Sequence, residues 1–397
     1  MWKLKQSKKE KADSNTEIQI YDPISTCGHK NYNTRLIEIC LKLAPCRVFY
    51  ANPELNLQID NPPHRLIFNN TNQLYTSRFA LVYIHCKMLR NLKKHYTSSN
   101  LFICFDNVSM FLACLFTLNR KTINLVCHNN LHRAQASKLS KLALRLLKYF
   151  GVQLIILENS FKDDVKKQLG YAEKNIHIVY HPLPKIKRLE ATDTFNRKSH
   201  HHRLTVSYLS GAYSDKGFDI LLRAIKRYLE DKSRSDKGQI KFNLLLKKPV
   251  NLKLFGLDNI CLSEHQINLI CNKINDADYQ SLLKESDYIC LPFRETFNNR
   301  CSAALFEALV CEKKLILAGI PLFTYYAQKH NLSDHIFTPG NAGQLKDIFL
   351  CLEQKEPTDS HKPDFINLRR DAIISKQLRE LLSIQQFFHN GFDQVPV

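Results

Sequence analysis

Short apolar runs alternate with longer segments in which apolar residues recur every three or four positions. The short runs predict buried strands. They lie at residues 17–24, 47–51, 101–105, 124–128, 153–157 and 177–180, and again at 204–209, 241–246, 267–271, 288–292 and 314–318. The segments between them predict helices, including Phe218–Glu230 and Asp276–Glu285. Strands that alternate with helices build parallel sheets covered on both faces, so the pattern predicts an α/β fold.

Residues 184–203 interrupt this pattern with a polar, basic stretch that predicts a linker. The linker separates a predicted N-terminal Rossmann-like domain, residues 17–183, from a C-terminal one, residues 204–360. Residues 1–16 predict a flexible basic tail, and residues 361–397 a helical tail. A chain of 397 residues is long enough for two domains with separate cores.

The formal net charge of +20 favours acidic partners, namely nucleotides, phospholipid surfaces or nucleic acid. Nucleic acid is the weakest of the three, because no RRM, KH or zinc-finger pattern occurs. The 13 cysteines contain no CxxC pair, so we expect reduced thiols in a cytoplasmic protein and no structural zinc. The lysine-rich start shows no signal peptide. Association with the cytoplasmic face of a membrane stays open.

Residues 137–150, SKLSKLALRLLKYF, predict an amphipathic helix with four basic residues on one side. One interpretation is a helix docked on the sheet, whose long cationic side chains cover the rim. The other is association with an anionic membrane surface.

A strand–loop–helix–strand unit is predicted at residues 287–318, DYICLPFRETFNNRCSAALFEALVCEKKLILA. The backbone N–H groups at Cys301, Ser302 and Ala303 would open the helix and favour a phosphate. Glu307 lies four residues beyond Ala303 on the same helix face, a spacing that suits a ribose. The alternative is an ordinary surface glutamate.

A second candidate segment is SGAYSDKGFDILLRAI, residues 210–225. It places Gly211 at a strand end, and Lys216 and Gly217 at a helix start, where a lysine reaches a pyrophosphate. The two segments together predict a clamp on a diphosphate.

The first half of the chain offers weaker signals. The loop with Gly28 and His29 follows the first strand but is not GxGxxG, so we expect no dinucleotide cofactor. His128 follows a strand and is predicted to lie in a site, with a core or surface position as the alternative. For His181, in HPLP, a strand-end position is favoured and a role in a site is the alternative.

These residues resemble the GT-B glycosyltransferases, in particular the family 4 group. GAYSDKGFDILLRA resembles a phosphate-binding segment of that group, and DYICLPFRETFNNRCSAALFEALVCEKKLILA its ribose-binding segment. LVCHNN resembles its strand-end histidine segment, and VYHPLP the approach to its linker. The resemblance covers residues 204–320 well and residues 17–183 diffusely. It implies two Rossmann-like domains that face a central cleft, with a C-terminal helix that crosses back to the N-terminal domain.

The resemblance also implies roles for individual residues. Lys216 would bind the donor phosphates, Glu307 the ribose, and His128 would lie near the transferred sugar. The remaining donor-side residues are Gly211, Gly217, Asn299, Arg300, Cys301, Ser302 and Ala303; Gly28 and His29 would line the acceptor side.

This sequence departs from the group's pattern at three places. The group often has an arginine shortly before the Lys-Gly pair, and Gly211, Ala212 and Tyr213 supply none here. Asn299 occupies the position of the group's first glutamate, and Ala303 that of a glycine. These departures bear on which donor is used and on catalytic activity.

The resemblance implies a retaining, metal-independent glycosyltransferase that takes a nucleoside-diphosphate sugar as substrate and needs no cofactor. The acceptor would be a glycan or lipid-linked, in polysaccharide or glycolipid synthesis. Three alternatives stay open: a sugar-nucleotide epimerase on the same fold, a basic nucleic-acid-binding protein, and a scaffold without activity.

Overall fold

The computed structural model describes residues 18–22, 30–50, 66–70, 77–95, 100–103, 106–119, 122–183, 203–231, 240–246, 266–272, 274–329, 335–354 and 371–392. The chain folds into two compact units. The first comprises Met1–Leu183, Asn299–Cys301 and Leu368–Val397, and the second comprises Pro184–Asn298 and Ser302–Asn367.

The first unit contains seven strands and seven helices among its described residues. The strands are β1 (Ile18–Asp22), β2 (Cys46–Tyr50), β3 (Leu66–Asn70), β4 (Asn100–Ile103), β5 (Ile123–Val126), β6 (Val152–Ile156) and β7 (Ile176–Ile178). The helices are α1 (Lys30–Leu41), α2 (Arg78–His95), α3 (Asn107–Thr117), α4 (Asn130–Ala136), α5 (Lys138–Leu146), α6 (Lys162–Leu169) and, near the C-terminus, α12 (Asp371–Phe392).

The seven strands form one parallel sheet in the order β3-β2-β1-β4-β5-β6-β7. The order reverses direction between β1 and β4, and in such sheets ligands bind beyond the strand ends at this switch point. The helices that the structure describes between consecutive strands return the chain to the same edge of the sheet, and this makes neighbouring strands parallel.

Helix α12 joins the core of this unit, as the C-terminal helix was predicted to do. Ile374, Leu378 and Leu381 repeat at helical spacing and are buried in the same apolar cluster as β1 and α1. Asp371 Oδ1 lies 2.6 Å from Arg35 Nη2 on α1, and Gln377 Oε1 accepts from the Tyr180 N–H at 3.0 Å. The buried apolar side chains and these two polar contacts together hold α12 against the first unit.

The second unit contains six strands and five helices among its described residues. The strands are β8 (Leu204–Tyr208), β9 (Ile240–Leu245), β10 (Ile267–Ile270), β11 (Tyr288–Leu291), β12 (Lys314–Ala318) and β13 (Ile336–Phe337). The helices are α7 (Phe218–Glu230), α8 (Asp276–Glu285), α9 (Ala303–Val310), α10 (Pro321–Lys329) and α11 (Ala342–Gln354).

The second sheet is also parallel, in the order β10-β9-β8-β11-β12-β13. Its switch point lies between β8 and β11. Helices α7 and α11 cover one face, where the rings of Tyr228, Phe242 and Phe349 pack edge to face with centroids 5.2–5.8 Å apart.

Two doubly wound parallel sheets confirm the predicted fold class of two Rossmann-like domains. The predicted strands 17–24 and 314–318 are observed at 18–22 and 314–318, and Phe218–Glu230 and Asp276–Glu285 form helices with those bounds. Strands β3 and β13 were not predicted. Residues 1–16 and most of the linker lie outside the described residues.

The predicted helix over residues 137–150 needs correction. It consists of α5 followed by a 3-10 turn, Leu147–Phe150, that ends at Gly151 with φ +74°. Its inner face is docked on the fold, as the first interpretation held. Among the residues that the structure describes, no helix combines the length and the apolar character needed to span a bilayer.

Candidate functional site

The loop after β8 is shaped by two glycines in the left-handed region. Gly211 takes φ +78°, and its carbonyl accepts a 2.5 Å hydrogen bond from the Tyr208 hydroxyl. Gly217 takes φ +65° and precedes α7. A Cβ added at Gly217 would lie 1.7 Å from the Pro292 carbonyl oxygen, so only glycine allows the β8 loop to approach the end of β11 this closely.

Lys216 lies at the switch point of the second sheet. Its ammonium donates to the Ser210 carbonyl at 3.0 Å. It also lies 5.3 Å from the ring centroid of Tyr213 and 5.9 Å from that of Phe293, which follows β11. The predicted cation therefore lies beside the ends of β8 and β11, where a doubly wound sheet binds its ligand.

Arg294, which sequence analysis did not identify, joins the same two loops. Its Nε donates to the Ser214 carbonyl at 3.0 Å, and its Nη2 lies 2.6 Å from Asp219 Oδ2 at the start of α7. Its backbone N–H donates to the Asp215 carbonyl at 3.0 Å. The position of Arg294 just past a strand end was the one sequence signal that pointed to it.

Helix α9 begins at Ala303, with Ser302 as its N-cap. The Ser302 hydroxyl accepts from the Leu305 N–H at 3.3 Å. The N–H groups of Ala303 and Ala304 have no acceptor within the helix, so the open amides lie slightly later than the predicted Cys301–Ala303 set. They carry the positive end of the helix dipole.

The three residues before this N-cap, Asn299, Arg300 and Cys301, belong to the first unit. Asn299 adopts φ +58°. Their predicted donor-binding role stays a prediction.

Glu307 lies on α9 and is half-buried. The Tyr279 hydroxyl on α8 donates to Glu307 Oε2 at 2.5 Å. Burial, together with the adjacent Glu307 charge, raises the pKa of Tyr279 well above its usual value, so the phenol stays a donor. Sequence analysis did not identify Tyr279, because α8 and α9 become neighbours only in the folded unit.

In the first unit, three aromatic rings gather near the ends of the central strands. His128, after β5, packs edge to face on Tyr32 with centroids 4.2 Å apart. His181 packs on the same tyrosine at 4.8 Å. The structure thus brings His128 and His181 together, although for His181 a strand-end position was favoured over a site.

Charged groups lie at two other strand ends of this unit. Asp22 ends β1, is buried, and accepts from Asn33 Nδ2 at 2.6 Å. Asp106 caps α3 and lies 3.4 Å from Arg133 Nη1. Gly28 and His29, the predicted acceptor-side residues, lie outside the described residues.

Within the described residues, no group of three or more His, Cys, Asp or Glu side chains is arranged to hold a metal ion. Asp276 and Asp278 lie in the first turn of α8, where Asn275 caps the Asp278 N–H at 2.8 Å. Independence from metal stays a prediction.

Similar solved structures share the fold of both units. HepE of Anabaena, solved in complex with UDP and glucose, has a TM-score of 0.64 at 17% identity and covers 93% of this chain and 99% of its own. Sucrose-phosphate synthase from Thermosynechococcus elongatus has a TM-score of 0.60 at 11% identity and covers 96% and 98%. A structure described as a putative UDP-N-acetylglucosamine 2-epimerase from Listeria monocytogenes has a TM-score of 0.55 at 10% identity and covers 94% and 97%.

These similarities define the fold as that of the GT-B glycosyltransferases. No protein-family model matches the sequence, and a search of curated proteins gave no significant match.

Proposed function

We propose that this protein is a glycosyltransferase that moves a sugar from a nucleoside-diphosphate sugar to an acceptor hydroxyl. The observation that carries the proposal is the position of Lys216 at the β8–β11 switch point of a GT-B fold. Helix α9 follows β11, so its first amides face the same strand-end crevice. A lysine and a helix start together suit a diphosphate. The UDP in the HepE structure is consistent with a nucleotide donor.

Each predicted residue then has a defined task. Departure of the nucleoside diphosphate develops charge on its distal phosphate, which Lys216 and the α9 amides would stabilise. Glu307 would accept hydrogen bonds from the ribose. Gly211 and Gly217 would let the backbone approach the phosphates, and His128 would lie near the transferred sugar.

Finer features belong to the same proposal. We propose a retaining reaction that needs no metal, since cationic and amide donors would neutralise the leaving group. We also propose a glycan or lipid-linked acceptor, in polysaccharide or glycolipid synthesis.

A thermal-shift panel of UDP, GDP, ADP and CMP tests the donor site. A nucleotide at a hundred times its dissociation constant should add about 2.7 kcal/mol to the free energy of unfolding. Lys216→Ala should lower the affinity for the nucleotide that stabilises the wild type by about 10- to 100-fold, because a charged hydrogen bond contributes about 1.5–3 kcal/mol.

Lys226→Ala is the matched control. Lys226 lies on α7, ten positions further on, and its Nζ is 3.8 Å from Glu230 rather than at the strand ends. It should leave nucleotide affinity unchanged. Equal affinity of wild type and Lys216→Ala for every nucleotide that binds would refute the assigned site.

An epimerase is the second candidate, because the Listeria structure shares the fold. An epimerase changes the sugar of a labelled sugar nucleotide with no acceptor present. A transferase releases the nucleoside diphosphate, and at full rate only with an acceptor.

A further inference from the structure

Helix α5 and the 3-10 turn after it divide their side chains among three sectors. The buried sector faces the fold and consists of Ser140, Ala143, Leu144 and Leu147. The second sector is apolar yet exposed and consists of Leu139, Leu142 and Tyr149. The third is basic and consists of Lys138, Lys141, Arg145 and Lys148. Docking therefore uses only part of the apolar surface of this helix.

The exposed apolar sector continues onto the last turn of α3. Leu115, Phe116 and Leu118 are exposed there, Phe116 by 64% and Leu118 by 69%. Asn119 Nδ2 donates to the Phe150 carbonyl at 3.0 Å. Leu118 and Tyr149 are the residues before these two, so the hydrogen bond brings them close to each other. We name the six side chains the apolar rim: Leu115, Phe116, Leu118, Leu139, Leu142 and Tyr149.

Isolated exposed apolar residues are normal, but a group of them marks an interaction surface. Ten large apolar side chains are exposed among the described residues, and six belong to the apolar rim. The rim comes from two elements that are separate in sequence. The two elements meet where α3 ends beside the 3-10 turn, so the fold joins their exposed apolar side chains at that end.

The surroundings of the rim carry positive charge. Residues 137–150 contain four basic residues and no acidic one, and α3 contains no charged residue. Arg145 and Lys148 cap the C-terminal end of α6 by donating to the Gln168 and Gly170 carbonyls at 2.6–3.1 Å. No contact of this kind engages Lys138 or Lys141 among the described residues, so their charges point to an external anion.

We propose that the apolar rim and its basic border bind an anionic phospholipid surface. Leucine and aromatic side chains would enter the boundary between headgroups and acyl chains, while the lysines contact the headgroups. A second copy of this chain fits poorly, because the basic border would then face itself. The inference goes beyond the proposed transferase activity and does not depend on it.

Co-sedimentation of the purified full chain with vesicles tests the proposal. One vesicle contains phosphatidylcholine and phosphatidylglycerol in equal parts, and the other phosphatidylcholine alone. We expect binding to the anionic vesicle only. Lys138→Glu with Lys141→Glu should weaken binding by at least about 25-fold, since each basic residue contributes about fivefold near such a surface.

Apolar variants separate this surface from the general effect of the net charge. Phe116→Glu and Leu142→Glu should each weaken vesicle binding at least about tenfold. Each substitution removes an apolar side chain that would insert into the lipid and adds a negative charge that the anionic lipid repels. Tyr325→Glu, at an exposed aromatic of the second unit, is the control and should bind as wild type does. An unchanged melting temperature confirms that each variant is folded.

A spectroscopic measurement does not depend on loss of binding. Tyr149→Trp in a Trp2→Phe background should shift its emission to the blue with anionic vesicles. The proposal is overturned if wild type fails to bind, if both apolar variants bind normally, or if light scattering shows a dimer that Leu142→Glu abolishes.

Discussion

Replacement of Gly217 by alanine tests how the β8 loop is held against the end of β11. The substitution adds one methyl group beside Lys216 without removing any hydrogen-bonding group. Gly217 has φ +65°, and the new Cβ would lie 1.7 Å from the Pro292 oxygen and 2.7 Å from the Pro292 carbonyl carbon. Both are backbone atoms, so the contact is relieved only if one of the two loops moves.

The expected cost has two parts. An alanine in the left-handed region costs about 1–2 kcal/mol. Overpacking against a fixed backbone adds about 1–3 kcal/mol. Gly217→Ala should therefore lower the free energy of unfolding by about 2–5 kcal/mol. The shift of the loop should also move Lys216 and weaken nucleotide binding about tenfold.

Gly340→Ala isolates the steric part of this cost. Gly340 lies in the same unit with φ +87°, and a Cβ there would have nothing within 4 Å. The free energy of unfolding of Gly340→Ala should therefore fall only by the cost of the left-handed backbone, about 1–2 kcal/mol. Melting temperatures of both variants measure the difference, at about 2–4 °C per kcal/mol for a unit of this size. Equal melting temperatures for the two variants would show that the Gly217–Pro292 approach does not constrain the fold.

Two further predictions follow from hydrogen bonding and burial. Tyr279→Phe removes the hydroxyl that donates to the Glu307 carboxylate and should lower the affinity for the nucleoside diphosphate about fivefold. It should also reduce the preference for ribose over the 2′,3′-dideoxy analogue. Tyr228→Phe, which breaks another tyrosine–glutamate hydrogen bond in the same unit, should change neither quantity in isothermal titration. His85 is fully buried, and burial lowers its pKa to about 3 from 6.5. The unfolded chain takes up a proton below pH 6.5 and the folded chain does not, so stability should fall by about 2 kcal/mol from pH 7 to pH 5. His85→Leu should flatten this slope in urea unfolding at the two pH values, and an equal slope would contradict a neutral buried imidazole.

The sequence alone determined the succession of strands and helices and the position of Lys216 and Gly217 at a helix start. Apolar periodicity is a local signal, and for this reason α7, α8 and β12 were predicted with the bounds they have. Strands β3 and β13 escaped prediction. The first presents only three apolar residues before two asparagines, and the second is two residues long. Their extended conformation is decided by the neighbouring strand, which a local pattern does not contain.

The tertiary structure decided which side chains meet. Tyr279 and Glu307 are 28 positions apart, and Asp219 and Arg294 are 75 positions apart, yet each pair is joined by a hydrogen bond across neighbouring elements. Gly217 was predicted at a helix start, but its close approach to Pro292 depends on the β8–β11 pairing. Likewise, the sequence marked residues 137–150 as amphipathic, while only the docking of α5 determined which leucines are buried and which stay exposed. Contacts between residues that are distant in sequence depend on the order of the strands and on the packing of the helices. A local sequence pattern contains neither.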